Sequence, residues 1–228
     1  MHFNWTQLLP GVGHHYAHVA TLLIVSAILA LIGVAARVSL GQGQEAVIPS
    51  GKFSIRAIFE VFTEYIGSLA EQVIGHHGRV FAPYFTAIFT YILFNNLVGL
   101  IPGMTPATEN FNTTFAFGVF SFLAYNIIGL KEGGLGYLKH FWGPVMALGP
   151  LMLVIELLSH FLRPLTLGLR LANVMTGDHT VLSVFLGLFP VGPAIPFYAM
   201  GLLVSTIQAF VFTLLSMVYV ALATAHDH

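Results

Sequence analysis

The chain has 228 residues, of which 57% are hydrophobic and only 7% are charged. Soluble domains carry roughly 25% charged residues. This composition, with a mean hydropathy of +0.85, therefore excludes a water-soluble fold. No cysteine is present, which excludes disulfides and thiolate metal sites. The chain is predicted to be an integral membrane protein.

The N-terminal part predicts one membrane span and one helix at the membrane surface. Residues 1–16 lack the basic start of a secretory signal peptide, and the apolar run 18–36 is long enough to span, so we expect it to remain in the protein. In segment 53–75 the apolar residues recur at helical spacing, whereas the charged residues fall mostly elsewhere. We expect an amphipathic interfacial helix there, and its acidity favours contact with a protein partner.

The remaining segments predict an all-α polytopic membrane protein that forms a single membrane domain. It has about five membrane helices plus the interfacial helix, and the last two are long and strongly tilted as a hairpin. The fifth apolar segment, residues 145–188, is too long for one perpendicular crossing at about 1.5 Å per residue, so it must tilt, break or lie partly along the membrane. A turn rich in proline, 189–196, precedes the last helix. In chain order the predicted helices are 18–36, 53–75, 80–101, 113–130, 145–188 and 197–223.

Lysine and arginine are distributed unevenly between the connections. One side carries Arg37, Lys52, Arg56, Lys131 and Lys139, whereas the two opposite connections carry none. Positive charge marks the cytoplasmic side, so the N-terminus is expected outside and the C-terminus in the cytoplasm. We find no internal repeat of the kind that marks many secondary transporters.

Ionisable residues within the predicted spans are concentrated on the long fifth segment. A charge at the centre of a membrane helix costs at least ~2.5 to 3.5 kcal/mol, so such residues indicate function by default. At ~100° per residue, Glu156, Arg163 and Arg170 lie along one slowly drifting stripe. His179 points to the opposite face, and Asp178 lies roughly 80° from Arg170. The helix is expected to hold a fixed cation apart from a group that can exchange protons.

These residue types suit a path for protons. Arginine stays protonated in an apolar setting, so Arg170 can attract a carboxylate and repel cations without passing protons itself. Histidine and carboxylates are suited to a relay. The alternative is a structural network of Glu, Arg and Asp that only joins helices. Other polar residues of the spans predict interhelical hydrogen bonds of ~0.6 kcal/mol, and Gln208 is the one that we add to the candidate site. These residues are Asn95, Asn96, Asn126, Asn173, Ser205 and Gln208.

Three motifs, in the same order along the chain, resemble those of the a-subunit family of F-type ATP synthases. They are NNLVGLIP at 95–102, PLTLGLRL at 164–171 with Asn173 and the GDH of 177–179 after it, and QAFVF at 208–212 running on to Val218-Tyr219. Together they span residues 95–219, more than half of the chain, which makes the resemblance specific.

The resemblance implies a stator subunit that forms the proton path of the membrane sector. Its implied partners are the c-subunit ring, the b-subunit stator stalk, the rest of the ATP synthase complex and the lipid bilayer of the bacterial inner membrane. Arg170 matches the arginine that draws the proton off each incoming ring carboxylate and blocks a leak between two aqueous half-channels. Gln208 matches the glutamine facing it, Glu156 the acid of the cytoplasmic-side path, and His179 a position of the opposite path.

The chain departs from the family pattern at two positions. Asn173 lies three residues after Arg170, whereas the family asparagine more often lies four after. Gly201 occupies the place in the last helix where many relatives carry His or Glu as the partner of the residue at His179. We expect Asp178 or a water to supply that partner here.

Two functions of other classes are open from the sequence. A secondary transporter or channel subunit would bind an anionic substrate at Arg170 and move it when reconstituted alone. A membrane scaffold would tolerate Lys or Gln at Arg170. The chain has no phosphate-binding glycine loop, so it is expected to be a non-catalytic subunit. The titratable His179 favours H⁺ over Na⁺, and no cofactor, metal or nucleic acid is expected.

Overall fold

The computed structural model describes residues 17–39, 55–134, 149–188 and 194–224, and every regular element in these ranges is helical. Five of the described helices are long and apolar enough to cross a membrane. The prediction of an all-α polytopic membrane protein with five membrane helices is confirmed. The α-helices are α1 (Ala17–Ser39), α2 (Ile55–Ile74), α3 (Ala82–Val98), α4 (Phe111–Gly133), α5 (Gly149–Leu188) and α6 (Ala194–Thr224), with 3-10 segments at His76–Phe81 and Ala107–Glu109.

Helix α2 buries only part of the apolar face that its spacing predicts. Ile66 and Ala70, in its C-terminal half, are fully buried. Ile58 and Phe62, on the predicted apolar stripe, are 52% and 37% exposed. The chain then turns into α3 at Gly75, whose φ of 96° is a conformation that side chains other than glycine rarely adopt.

The core lies between α3, α4, α5 and α6, with the C-terminal half of α2 packed against it. Phe85, Tyr125, Leu171 and Phe212 contribute one large buried side chain from each of these four helices. Helix α1 lies at the edge of the bundle, where Ser26 Oγ and Tyr91 Oη share a hydrogen bond of 2.7 Å. Because α1 is peripheral, the four inner helices determine where the ionisable residues lie.

Helices α4 and α5 approach closely through two glycines. A Cβ on Gly168 would lie 2.9 Å from Phe115 Cα, and a Cβ on Gly118 would collide with the carbonyl oxygen of Pro164. Small residues permit such backbone contact between membrane helices. The contact fixes which face of α5 is turned towards α4.

Helix α5 is a single element of 40 residues that continues through Pro164. At 1.5 Å per residue it is about 60 Å long, twice the ~30 Å of a bilayer core, so it cannot lie along the membrane normal. Of the alternatives open from the sequence, the structure excludes a break within residues 149–188.

Some predicted segments fall partly outside the described residues. These are residues 53–54 and 145–148, most of the turn 189–196, and the orientation markers Lys52 and Lys139. Helix α6 begins at Ala194, so Pro196 lies in its first turn rather than in the preceding connection. Proline is tolerated there because the first helical N–H groups have no intrahelical acceptor.

Candidate functional site

Arg170 lies near the middle of α5 on the face turned away from the bundle. It is exposed, as are Thr166 and Asn173 about one turn to either side. Gly168 faces α4, and a residue two positions later is rotated by about 200°. Arg170 makes no hydrogen bond or ion pair with any residue in the described ranges. A cation on a membrane helix is normally paired, and none of the described residues pairs with Arg170.

The N-terminal half of α5 carries a separate ion pair. Arg163 Nη2 donates to Glu156 Oε1 at 3.3 Å, and the Arg163 guanidinium lies over the Tyr219 ring of α6, 5.4 Å from its centroid. Glu156 is fourteen positions before Arg170, about 21 Å along the helix. Glu156 and Arg163 therefore meet as their shared stripe predicts, but Arg170 is not part of a Glu–Arg–Asp network within the described chain.

His160 forms a polar cluster with α4 that the sequence analysis did not single out. The side chain is 6% exposed. Its Nε2 lies 3.0 Å from Asn126 Oδ1, and its Nδ1 lies 3.4 Å from Tyr125 Oη. The sequence signal was its position on the turn between Glu156 and Arg163. The cluster adds a buried imidazole to the ionisable groups of this half of α5.

The C-terminal half of α5 places a second protonatable pair beyond Arg170. His179 Nδ1 lies 3.1 Å from Glu109 Oε2, and both side chains are 28% exposed. Glu109 ends the 3-10 segment between α3 and α4. The sequence analysis did not select Glu109, although it is the only acidic residue between the second and third predicted spans. His179 is about 14 Å beyond Arg170 along the helix.

Asp178 points towards α6 and lies over Gly201. A Cβ added to the buried Gly201 would lie 3.1 Å from Asp178 Oδ2 and 2.6 Å from Leu100 Cδ2. The space beside Gly201 is therefore occupied by the Asp178 carboxylate and by a leucine from the end of α3. The observed ion-pair partner of His179 is Glu109, and the expectation that Asp178 or a water partners His179 stays a prediction.

Buried amides and a hydroxyl line the interface of α3 with α6. Asn95, Asn96 and Ser205 are fully buried and Gln208 is 6% exposed. Asn96 Nδ2 donates to the Ser205 carbonyl oxygen at 3.2 Å. Within the described chain, four other polar atoms of these residues have no hydrogen-bond partner: Asn95 Oδ1, Asn96 Oδ1, Ser205 Oγ and Gln208 Nε2. Buried polar atoms of this kind normally bond to water or to another chain.

The remaining predicted site residues are brought together only in part. Asn173 shares the exposed face of Arg170, one turn further along α5. Gln208 is buried in α6, and among the described contacts it makes no hydrogen bond to Arg170. The described residues contain no group of His, Asp and Glu side chains that could hold a metal ion.

The fold and these groups define a polytopic helical membrane protein in which a cation with no partner among the described residues lies between two sets of protonatable side chains. The family model described as "ATP synthase A chain" matches residues 19–221. The chain belongs to this family, the proton-translocating component of the ATP synthase membrane sector, a multi-pass protein of the bacterial inner membrane.

Three relatives illustrate the similarity. The chain is 66% identical to "ATP synthase subunit a" of Bdellovibrio bacteriovorus, over 100% of both chains. It is 42% identical to "ATP synthase subunit a" of Trichlorobacter lovleyi over 90% of this chain and 86% of the relative. It is 38% identical to "ATP synthase subunit a 2" of Syntrophotalea carbinolica over 100% of this chain and 94% of the relative.

Proposed function

We propose that this chain is the non-catalytic stator subunit that supplies two aqueous half-channels to the rotating c-subunit ring. Arg170 draws the proton off each incoming ring carboxylate and blocks direct passage between the half-channels. One observation carries the proposal: Arg170 is exposed at the centre of α5, a helix apolar enough to cross a membrane, without a partner among the described residues. A carboxylate on a neighbouring ring helix is the partner whose charge matches.

The chemistry along α5 supports two separate paths. Groups that can exchange protons lie on both sides of Arg170, with Glu156 on one side and Asp178 and His179 on the other. Direct proton transfer requires a hydrogen-bond distance of about 3 Å. Along the helix, Glu156 lies ~21 Å and His179 ~14 Å from Arg170, so neither residue can exchange a proton directly at the level of Arg170. Protons reach the ring carboxylate through water on each side, and the permanently charged guanidinium repels them at the centre.

Polar groups on neighbouring helices support a water path on the side of His179. Asn96 and Ser205 meet at the α3–α6 interface, Gln208 is buried on α6, and water can satisfy the unpartnered atoms of all three. Gln208 lies on this path near the level of the ring carboxylate, and Asn173 faces the ring beside Arg170.

The orientation and the other partners belong to the same proposal. The N-terminus lies outside and the C-terminus in the cytoplasm, which places His179 on the outer path and Glu156 on the cytoplasmic path. The exposed N-terminal half of α2, with Val61 69% exposed, offers a surface to the b-subunit stalk. The transported ion is H⁺, since the imidazole of His179 can accept and release a proton.

ATP-driven proton pumping in liposomes with the complete complex tests the proposal. Arg170→Gln should abolish pumping while ATP hydrolysis remains and the complex assembles. Arg37→Gln, at the exposed end of α1, is the matched control and should pump as the unchanged protein does. Normal pumping by Arg170→Gln would refute the mechanism. Movement of an anionic solute by this chain alone would favour a transporter instead.

A further inference from the structure

Glu109 is an acidic group in the outer connection that the proposed function does not yet use. Its Oε2 is buried and has no hydrogen-bond partner in the described chain, although it lies 3.1 Å from His179 Nδ1. A buried carboxylate oxygen without a hydrogen bond is unfavourable, and a protonated His179 would satisfy it, so the position of the two groups indicates a role.

The backbone of Glu109 is held in place independently of its carboxylate. Ala107 and Thr108, the other residues of its 3-10 segment, are fully buried. Thr176 Oγ1 of α5 donates to the Glu109 carbonyl oxygen at 3.2 Å, one turn before His179. The outer connection is therefore attached to α5 by a hydrogen bond that Thr176 makes to the main chain of Glu109. A change of the side chain alone should leave this attachment in place.

Glu109 is the acidic partner that a neighbouring element supplies to His179. Helix α6 presents Gly201 near this place, which carries no side chain. Asp178, next to His179 on α5, points to Gly201, where a Cβ would lie 3.1 Å from its Oδ2. Glu109 is the group whose carboxylate oxygen lies within proton-transfer distance of the His179 ring.

We propose that Glu109 is a proton-transfer residue at the outer mouth of the path and exchanges a proton with His179. During inward flow, the O–H bond of the Glu109 carboxyl breaks and an N–H bond forms at His179 Nδ1. The imidazolium releases its other ring proton, from Nε2, to the water path that leads towards Arg170, and the carboxylate regains a proton from outside water. Before the next transfer the neutral ring exchanges its Nδ1 proton for one on Nε2 through water, which frees Nδ1 to accept again. During outward pumping each step reverses. This inference rests on the function proposed above.

The test uses the intact complex in liposomes and compares Glu109→Gln, Glu109→Asp and Glu132→Gln. Glutamine keeps the shape of the side chain but cannot carry a proton, whereas aspartate keeps a carboxyl group. Glu132, exposed at the end of α4, is the matched control for the same chemical change. Proton pumping and proton-driven ATP synthesis are measured in H₂O and in D₂O, alongside assembly of the complex.

Glu109→Gln should lower the rates of proton pumping and ATP synthesis by about tenfold or more. The loss of a positioned acid or base typically lowers a rate by ~10² to 10⁴, and the effect should be smaller here because outside water can partly replace the Glu109 carboxyl. The H₂O to D₂O rate ratio should rise, since proton transfer becomes slower than rotation. Glu109→Asp should keep more activity than Glu109→Gln, and Glu132→Gln should be unchanged.

Three results would overturn the inference. The first is that Glu109→Gln pumps protons and makes ATP at rates within twofold of the unchanged protein. The second is that these rates fall without a rise in the H₂O to D₂O rate ratio. The third is that Glu109→Gln fails to assemble into the complex. Arg170→Gln is measured in parallel to separate the two proposals. Lost pumping in Arg170→Gln with normal Glu109→Gln overturns this inference alone, whereas normal pumping in Arg170→Gln overturns the proposed function itself.

Discussion

The close approach of α4 and α5 predicts that a single added methyl group at Gly168 impairs coupling. A Cβ there would lie 2.9 Å from Phe115 Cα and 3.0 Å from the Thr114 carbonyl oxygen, whereas ordinary contact begins at 3.4 Å. Both obstacles are backbone atoms and cannot rotate away. In Gly168→Ala, α5 must therefore move by roughly 0.5 Å, and overpacking costs about 1 to 3 kcal/mol of stability.

This displacement should reach Arg170, two residues further along α5. A misplacement of 1 Å at a reacting group costs about 10²-fold in rate, so roughly half that distance predicts about a tenfold loss. Coupled pumping and the thermal inactivation temperature of the complex are measured together. Gly33→Ala on α1, where a Cβ would meet no atom within 4 Å, is the control. Unchanged pumping and stability in Gly168→Ala would refute the argument from helix contact.

Two further predictions concern the neighbours of α5. Ser216→Ala removes the 2.8 Å hydrogen bond to Ser121 Oγ and should lower stability by only ~0.6 kcal/mol. Proton pumping should therefore persist, with a small drop in the thermal inactivation temperature. A large loss of assembled complex would contradict this prediction. The chain has no cysteine, so an introduced cysteine can be cross-linked selectively. Ser159 is exposed and lies within about 20° of Arg170 around α5, so Ser159→Cys should form a disulfide with a cysteine in the ring's outer helix. Leu123→Cys on α4, where Leu123 is 53% exposed, should not, and equal cross-linking of both variants would exclude the proposed ring-facing side of α5.

The helices could be predicted from the sequence because long apolar runs have only one stable form in lipid. Backbone polar groups must be satisfied within the segment, so each apolar run becomes a helix. The course of α5 through Pro164 could not be decided in the same way. Proline removes one helical hydrogen bond and tends to kink a helix, and its cost depends on packing against α4, which the local sequence does not contain.

Parts of the candidate site depended on contacts between distant segments. Arg170 stood out by itself because a charge is rare in a membrane helix. Glu109 lies seventy positions before His179, and no local pattern relates the two. His160 was overlooked because only its helical spacing from Glu156 and Arg163 marked it, and its partners Tyr125 and Asn126 lie on another helix.

Passive proton permeability of the membrane sector tests the barrier role of Arg170 most directly. Vesicles containing the complex with its catalytic head removed are given a proton gradient, and Arg170→Gln is compared with Arg37→Gln and with vesicles that lack the complex. The account predicts that permeability in Arg170→Gln is retained or raised although coupled pumping is lost, because the half-channels persist and the fixed charge between them is gone. Permeability in Arg170→Gln as low as in vesicles without the complex would contradict it.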